Sequence, residues 1–188
     1  MTKHIALLRG INVGGHAKIA MKDLRGLFTG MGFEAVQTYL QSGNVVFGAP
    51  EPQTPAELAA RIEERIAQEL GVSLTVVLRS AGSLARTIAA NPYLGQEDDP
   101  AKLHVTFLAR EPSAEQAARL EVPAGESAVF TLAGDEIHLH VPDGYGRTKL
   151  NNAFIERRLG IPATTRNWRT VGALHALAAD DSPPTSGR

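Results

Sequence analysis

Apolar residues recur along this chain in two rhythms, short continuous runs and stripes three or four residues apart, and the rhythms take turns. Residues 5–8 (Ile-Ala-Leu-Leu) predict a buried strand, stopped by the glycine-rich Arg9-Gly10-Ile11-Asn12-Val13-Gly14-Gly15. Met21, Leu24, Leu27, Phe28 and Met31 then fall on one helical face, with Gly32 placed to end that helix. Residues 36–40 and 45–47 predict two strands joined by the polar loop Gln41-Ser42-Gly43-Asn44. Thr54, Pro55 and Glu57 supply the N-cap, first-turn proline and capping box of a long helix. Leu58, Ile62, Ile66 and Leu70 stripe it and Gly71 closes it. Residues 74–78 are a further strand, so the first half reads β-α-β-β-α-β.

A shorter helix around Leu84 and Ile88 leads into residues 91–101, where prolines, a glycine and Glu97-Asp98-Asp99 mark a linker. The same order then starts again. Residues 103–108 are a strand, 113–120 a helix with Ser113 and Gln116 as its capping box, and 128–132 with 137–141 a hairpin through Gly134. Leu150, Phe154 and Leu159 stripe another helix ended by Gly160, and a last helix covers about 168–178. The expectation is an α+β protein, a tandem duplication of a ferredoxin-like βαββαβ unit plus a C-terminal helix. Its parts are a first subdomain at 1–90, a linker at 91–101, a second subdomain at 102–178 and a disordered tail at 179–188.

Composition narrows the setting more than the chemistry. A hydrophobic share of 43% over 188 residues suits a globular protein with a sizeable core. With a net charge of −1, no molecule-wide field draws the chain to nucleic acid or a membrane. Cysteine is absent, so disulfides, thiolate metal sites and thiol nucleophiles are excluded. No signal peptide or apolar run long enough to cross a bilayer is visible, and the expected location is the cytoplasm.

Three segments carry candidate chemistry. The turn from Arg9 to Lys18, with Asn12, Gly14 and Gly15, lies between strand and helix, where backbone N–H groups can hold an anion, although it matches no known phosphate motif. Gly144-Tyr145-Gly146-Arg147-Thr148-Lys149-Leu150-Asn151-Asn152 repeats that arrangement. If Thr148 caps the following helix, Arg147 and Lys149 stand at its positive end, where two cations make sense with an anion between them. In Thr164-Thr165-Arg166-Asn167-Trp168-Arg169 the single tryptophan stands between arginines, able to stack on a ligand or to anchor the last helix. His138 and His140 alternate on one strand, and His104 on the neighbouring strand is expected to point the same way. Such a trio can hold zinc, but no carboxylate is spaced to complete it, and the expectation is no metal site. If the first and third strands of a unit run parallel, the loops at 10–18 and 142–148 leave equivalent edges, with Ser42-Gly43-Asn44 at the opposite one.

The segments RGINVGG with Lys18, YLQSGNVVF, GYGRTKLNN and TTRNW together resemble the bacterial family of uncharacterised proteins named domain of unknown function 1697, over about residues 3–178. Thr148 stands where that resemblance leads one to expect serine, with the hydroxyl kept. The resemblance implies two ferredoxin-like subdomains and no established activity. It draws attention to Arg9, Asn12, Gly14, Lys18, Ser42, Gly43, Asn44, Lys149, Asn151, Arg166, Asn167 and Trp168. The functional expectation is binding of a phosphorylated or nucleotide-like anion by Arg9, Asn12, Gly14, Gly15, Lys18, Ser42, Asn44, Arg147, Lys149, Asn151, Arg166, Asn167 and Trp168. The alternatives are an enzyme acting on such a ligand and a nucleic-acid binder. The last ranks lower because the central strands offer Ala6, Leu8, Val46, Thr106 and His138 where an RNA-binding sheet needs aromatic rings. Neither a cofactor nor an oligomeric state is implied.

Overall fold

A computed structural model of the chain describes residues 1–12, 18–50 and 53–179. Two compact units divide it, residues 1–85 with the chain from Ala173 on, and residues 86–172. In the first, β1 (Thr2–Leu8), α1 (Met21–Gly30), β2 (Glu34–Tyr39), β3 (Asn44–Ala49), α2 (Pro55–Leu70) and β4 (Val76–Ser80) follow the predicted order. Their strands form one antiparallel sheet, ordered β2-β3-β1-β4. β1 begins ahead of its apolar run because pairing from Thr2↔Ala49 onward uses backbone groups and asks nothing apolar of Thr2, Lys3 or His4. For the same reason β4 runs on through polar Arg79 and Ser80, which pair with Ile5 and His4. Ala6, Leu8, Val45, Phe47, Val76 and Leu78 pack with Leu24, Phe28, Leu58, Ile62 and Ile66 of α1 and α2 in one core. On the sheet's other face Ile5, Leu7, Val46 and Val77 are buried as well. α3 (Ala81–Ala89) follows β4 without a break.

The second unit holds β5 (Leu103–Leu108), α4 (Ala114–Ala118), β6 (Val129–Ala133), β7 (Glu136–His140), α5 (Asn152–Leu159) and β8 (Ala163–Asn167), and α6 (Trp168–Ala179) starts in it. Its sheet, ordered β6-β7-β5-β8, is again antiparallel throughout. β8 was not among the predicted strands. Ala-Thr-Thr-Arg-Asn shows no apolar alternation, and its place comes from the open edge of β5, with which five residues pair from Leu108↔Ala163 to His104↔Asn167. Residues 91–101, expected to link the halves, are bound into this unit. The Tyr93 hydroxyl and Thr131 Oγ1 lie 2.9 Å apart, and Glu97 meets His140 Nε2 at 2.9 Å.

Register makes the two sheets counterparts residue by residue. Leu8 N–H donates to Gly43 O at 2.8 Å and Leu108 N–H to Asp135 O at 2.8 Å, while Arg9 N–H donates to Thr75 O and Ala109 N–H to Pro162 O. With the strands so aligned, His4 matches His104, Leu8 matches Leu108, and Arg79 (opposite Ile5) matches Arg166 (opposite Val105). α2 and α5 both end on a left-handed glycine, Gly71 and Gly160, each at φ 66°. Ser80 Oγ accepts from Ser83 N–H at the head of α3, as Asn167 Oδ1 does from Thr170 N–H at the head of α6. The C-terminal helix, expected as an addition to the second half, thus has its counterpart in α3.

Candidate functional site

The antiparallel pairing of β1 with β3 overturns the expected placement of the loops. The start of β3 lies beside the end of β1, so Ser42-Gly43-Asn44 and the turn after Arg9 meet at one edge of the sheet. Asn12 joins them. Its Oδ1 accepts from Ile19 N–H at 2.9 Å, and its Nδ2 donates to Ile19 O at 2.8 Å and to Gln41 O at 2.7 Å. One side chain therefore closes the mouth of the 12–19 loop and ties it to the neighbouring turn. Ile11 is fully buried beneath it. Gly43, at φ 83°, lies so close that a Cβ there would stand 2.7 Å from Ile11 Cδ1 and 2.9 Å from Leu8 Cβ. Asn44, fully buried, donates to Tyr39 O at 2.8 Å and Ser42 Oγ at 2.9 Å. Arg9 and Lys18 are exposed at the two ends of the turn. Gly14 and Gly15 lie outside the described residues.

In the second unit the loop after β7 is organised differently from expectation. Asn151, not Thr148, caps α5, its Oδ1 accepting from Phe154 N–H at 3.0 Å. Thr148 Oγ1 instead accepts from Leu150 N–H at 3.0 Å. Arg147 and Lys149 thus precede the cap and stand outside the helix's first turn. Glu126 accepts from Lys149 N–H at 2.7 Å and from Ala128 N–H at 3.2 Å, and these bonds hold its carboxyl below the usual range. Tyr145, from the same loop, stacks on His104 with ring centroids 4.7 Å apart, and its hydroxyl accepts from Asn152 N–H at 2.9 Å. Asn152 in turn donates to Ala163 O at 2.9 Å and accepts from Thr165 Oγ1 at 3.1 Å, which sews α5 to β8.

Arg166, expected to contact a ligand, is 8% exposed within β8. Its Nη1 donates to Thr164 Oγ1 at 2.6 Å and to Thr165 O at 3.1 Å. Burial lowers its pKa to about 10, an effect that the Tyr145 phenol partly opposes. Asn167 is exposed and caps α6 through Thr170 N–H, and Trp168 is half-buried in the first turn of that helix. The histidine trio does not form. Val105 pairs with His138, which puts His138 on the face of Arg166, whereas His104 pairs with Leu139 and lies on the helix-covered face. Among the described residues no group of three potential metal ligands assembles. Neither ring nitrogen of buried His138 has a hydrogen-bond partner, and burial depresses its pKa. Burial takes His104 down to about 4.

Reading the sequence missed Glu126 and the Tyr145–His104 stack. The first lay in no motif, and the second joins residues forty-one positions apart, for which strand register is the only signal.

A family model described as "Protein of unknown function (DUF1697)" matches residues 1–138. The first two of the four motifs fall inside that span, and GYGRTKLNN and TTRNW lie beyond it. No curated protein matches the chain. Among solved structures, the conserved bacterial protein SP0830 from Streptococcus pneumoniae is similar at 24% identity and a TM-score of 0.71. The match covers 94% of this chain and 98% of that one, a likeness of fold. Among the described residues no helix is long and apolar enough to cross a membrane.

Proposed function

This chain belongs to the DUF1697 family of proteins of unknown function, and from that premise we propose that it is a cytoplasmic protein binding a phosphorylated or nucleotide-like small molecule at the glycine turn of the first unit. The observation that carries this reading is a braced turn with an exposed cation at each end. Bonds and packing from Asn12, Ile11, Gly43 and Asn44 hold its backbone frame, and Arg9 and Lys18 are exposed at its two ends. The start of α1 lies close by in sequence, and its N-cap residue Ala20 makes no side-chain capping bond. A helix start with no side-chain cap, three residues after Lys18, suits an anion. The loop after β7 contributes less to this reading than its sequence suggests, because Glu126 occupies the Lys149 N–H and Asn151, not Thr148, caps α5.

Both units are read as ferredoxin-like and as products of a tandem duplication. Their shared strand order and the matched positions His4/His104 and Arg79/Arg166 support this.

Calorimetric titration with inorganic phosphate, a sugar phosphate and a nucleoside monophosphate tests the function. At least one should bind and raise the melting temperature. Arg9→Ala and Lys18→Ala should each weaken binding about ten-fold, the loss of one charge-assisted contact, and Lys18→Ala should leave melting unchanged. Failure of every anion to bind, or variants that bind as wild type, would reject the reading. Nucleic-acid binding would instead show as oligonucleotide affinity falling about three decades between 50 and 200 mM salt for ~6 phosphate contacts.

A further inference from the structure

The two sheets differ at one matching edge, β2 in the first and β6 in the second. β2 is guarded. Its pairing with β3 slips between Glu34 and Gln37, Ala35 within the slip sits at φ 49°, and Arg25 of α1 donates to the Thr38 hydroxyl at 3.4 Å. A bulge and nearby charges are the usual means by which a strand edge avoids pairing with another chain. β6, Val129-Phe130-Thr131-Leu132-Ala133, has neither. Its register with β7 is continuous from Val129↔His140 to Ala133↔Glu136, and it holds no charge, proline or glycine.

Bonds on the far side of β7 show which backbone groups β6 turns outward. Leu108 N–H donates to Asp135 O and Val141 N–H donates to Lys102 O. Backbone groups alternate sides along a strand, so Ile137 and Leu139 also turn toward β5, and Glu136, His138 and His140 turn toward β6. Their partners there are Ala133, Thr131 and Val129. Phe130 and Leu132 are left with N–H and C=O pointing away from the sheet, and among the described residues no backbone group meets them. The side chains of both are only half-buried on the core of this unit, while Val129 is 41% exposed on the opposite face beside exposed Thr131 and Ala133.

We propose that β6 is a self-association edge, on which a second copy of this chain lays its own β6 antiparallel and joins two four-stranded sheets into one across a two-fold axis. The strand is complementary to itself about Thr131. With Thr131 on the axis, Phe130 of one copy faces Leu132 of the other, so each outward N–H meets an outward C=O on both sides of the axis. Thr131 faces the second copy's Thr131, and exposed Val129 faces the second copy's Ala133. No pair sets like charges opposite each other, which is what such pairing requires, and a net charge of −1 gives the two copies little reason to repel. Phe130 and Leu132 then close over the outer margin of each core. A five-residue edge is small beside a stable interface, so the dimer is weak and forms at high micromolar concentration. This surface is independent of the anion site at Arg9.

Sedimentation equilibrium of the full chain, from micromolar to millimolar concentration, should show the mass rising from 20.1 kDa toward twice that value. Val129→Lys puts a guarding charge on the edge at an exposed position. It should weaken association about ten-fold or more and leave the melting temperature of the dilute protein unchanged. The absence of cysteine makes the register directly readable. Thr131→Cys sets two thiols across the axis with Cα atoms about 4.5 Å apart, within disulfide reach, and a mild oxidant should link that variant into dimers. Ala133→Cys, which faces Val129 of the second copy, should not be linked. A chain that stays monomeric at millimolar concentration overturns the proposal. So does a dimer that Val129→Lys leaves intact, or one in which Ala133→Cys is linked as readily as Thr131→Cys.

Discussion

Asn12 shows at the residue scale how a motif that looks like ligand chemistry can be architecture. A polar residue beside glycines invites a ligand, yet its amide is used on Ile19 and Gln41, and its own backbone sits at φ 54°, a conformation asparagine tolerates. Gly43 is the stricter case. Alanine there meets both a left-handed backbone and contacts under 3 Å with Ile11 and Leu8. Gly10, at φ 71°, has open space around it. Gly43→Ala should therefore cost about 2–4 kcal/mol, as strain and overpacking combine. Gly10→Ala should cost about 1–2 kcal/mol from backbone strain alone. Urea unfolding of the two variants side by side checks this, and equal losses would mean that packing against Ile11 is relieved without cost. The glycine at 43 was legible as a turn signal. Its partner Ile11 was not, because only the neighbouring strand ends bring the two together.

Helix ends were the most legible elements, since capping is local chemistry within four residues. The Thr54/Glu57 and Ser113/Gln116 boxes form as read, and Gly71 and Gly160 close their helices. Thr54→Ala and Asn151→Ala should each lower stability by about 1 kcal/mol, the ordinary worth of an N-cap, measured by chemical denaturation. An unchanged midpoint for Asn151→Ala would return the cap of α5 to Thr148. That cap went to the wrong residue in the sequence reading because two candidates stood three positions apart and both found backbone N–H groups to bind. β8 escaped for the opposite reason. A strand specified by its neighbour's open backbone needs no apolar period of its own, and Thr164, Thr165 and Arg166 carry none.

For the whole molecule, two buried histidines set a dependence on pH. His104 titrates near 4 when folded and near 6.5 when unfolded, and His138 is depressed in the same direction. Between those values the unfolded chain binds more protons, so stability is full above pH ~6.5 and falls as the pH drops toward 4. For His104 alone the shift corresponds to about 3 kcal/mol. His104→Phe keeps a ring under Tyr145 and removes a nitrogen, Nδ1, that has no partner. It should match wild type at pH 7.5 and lose less on acidification, and an identical pH profile would place the titration elsewhere. At this scale the sequence by itself determined the order of elements and the class of each helix end, because apolar period, caps and glycines act through bonds within a few residues. Strand direction, the register that aligns His4 with His104 and Arg79 with Arg166, the burial of Arg166, and the bond of Glu126 to the Lys149 N–H were decided only by the tertiary structure. Each of these depends on which backbones pair across tens of residues, and pairing is fixed by the folded sheet as a whole.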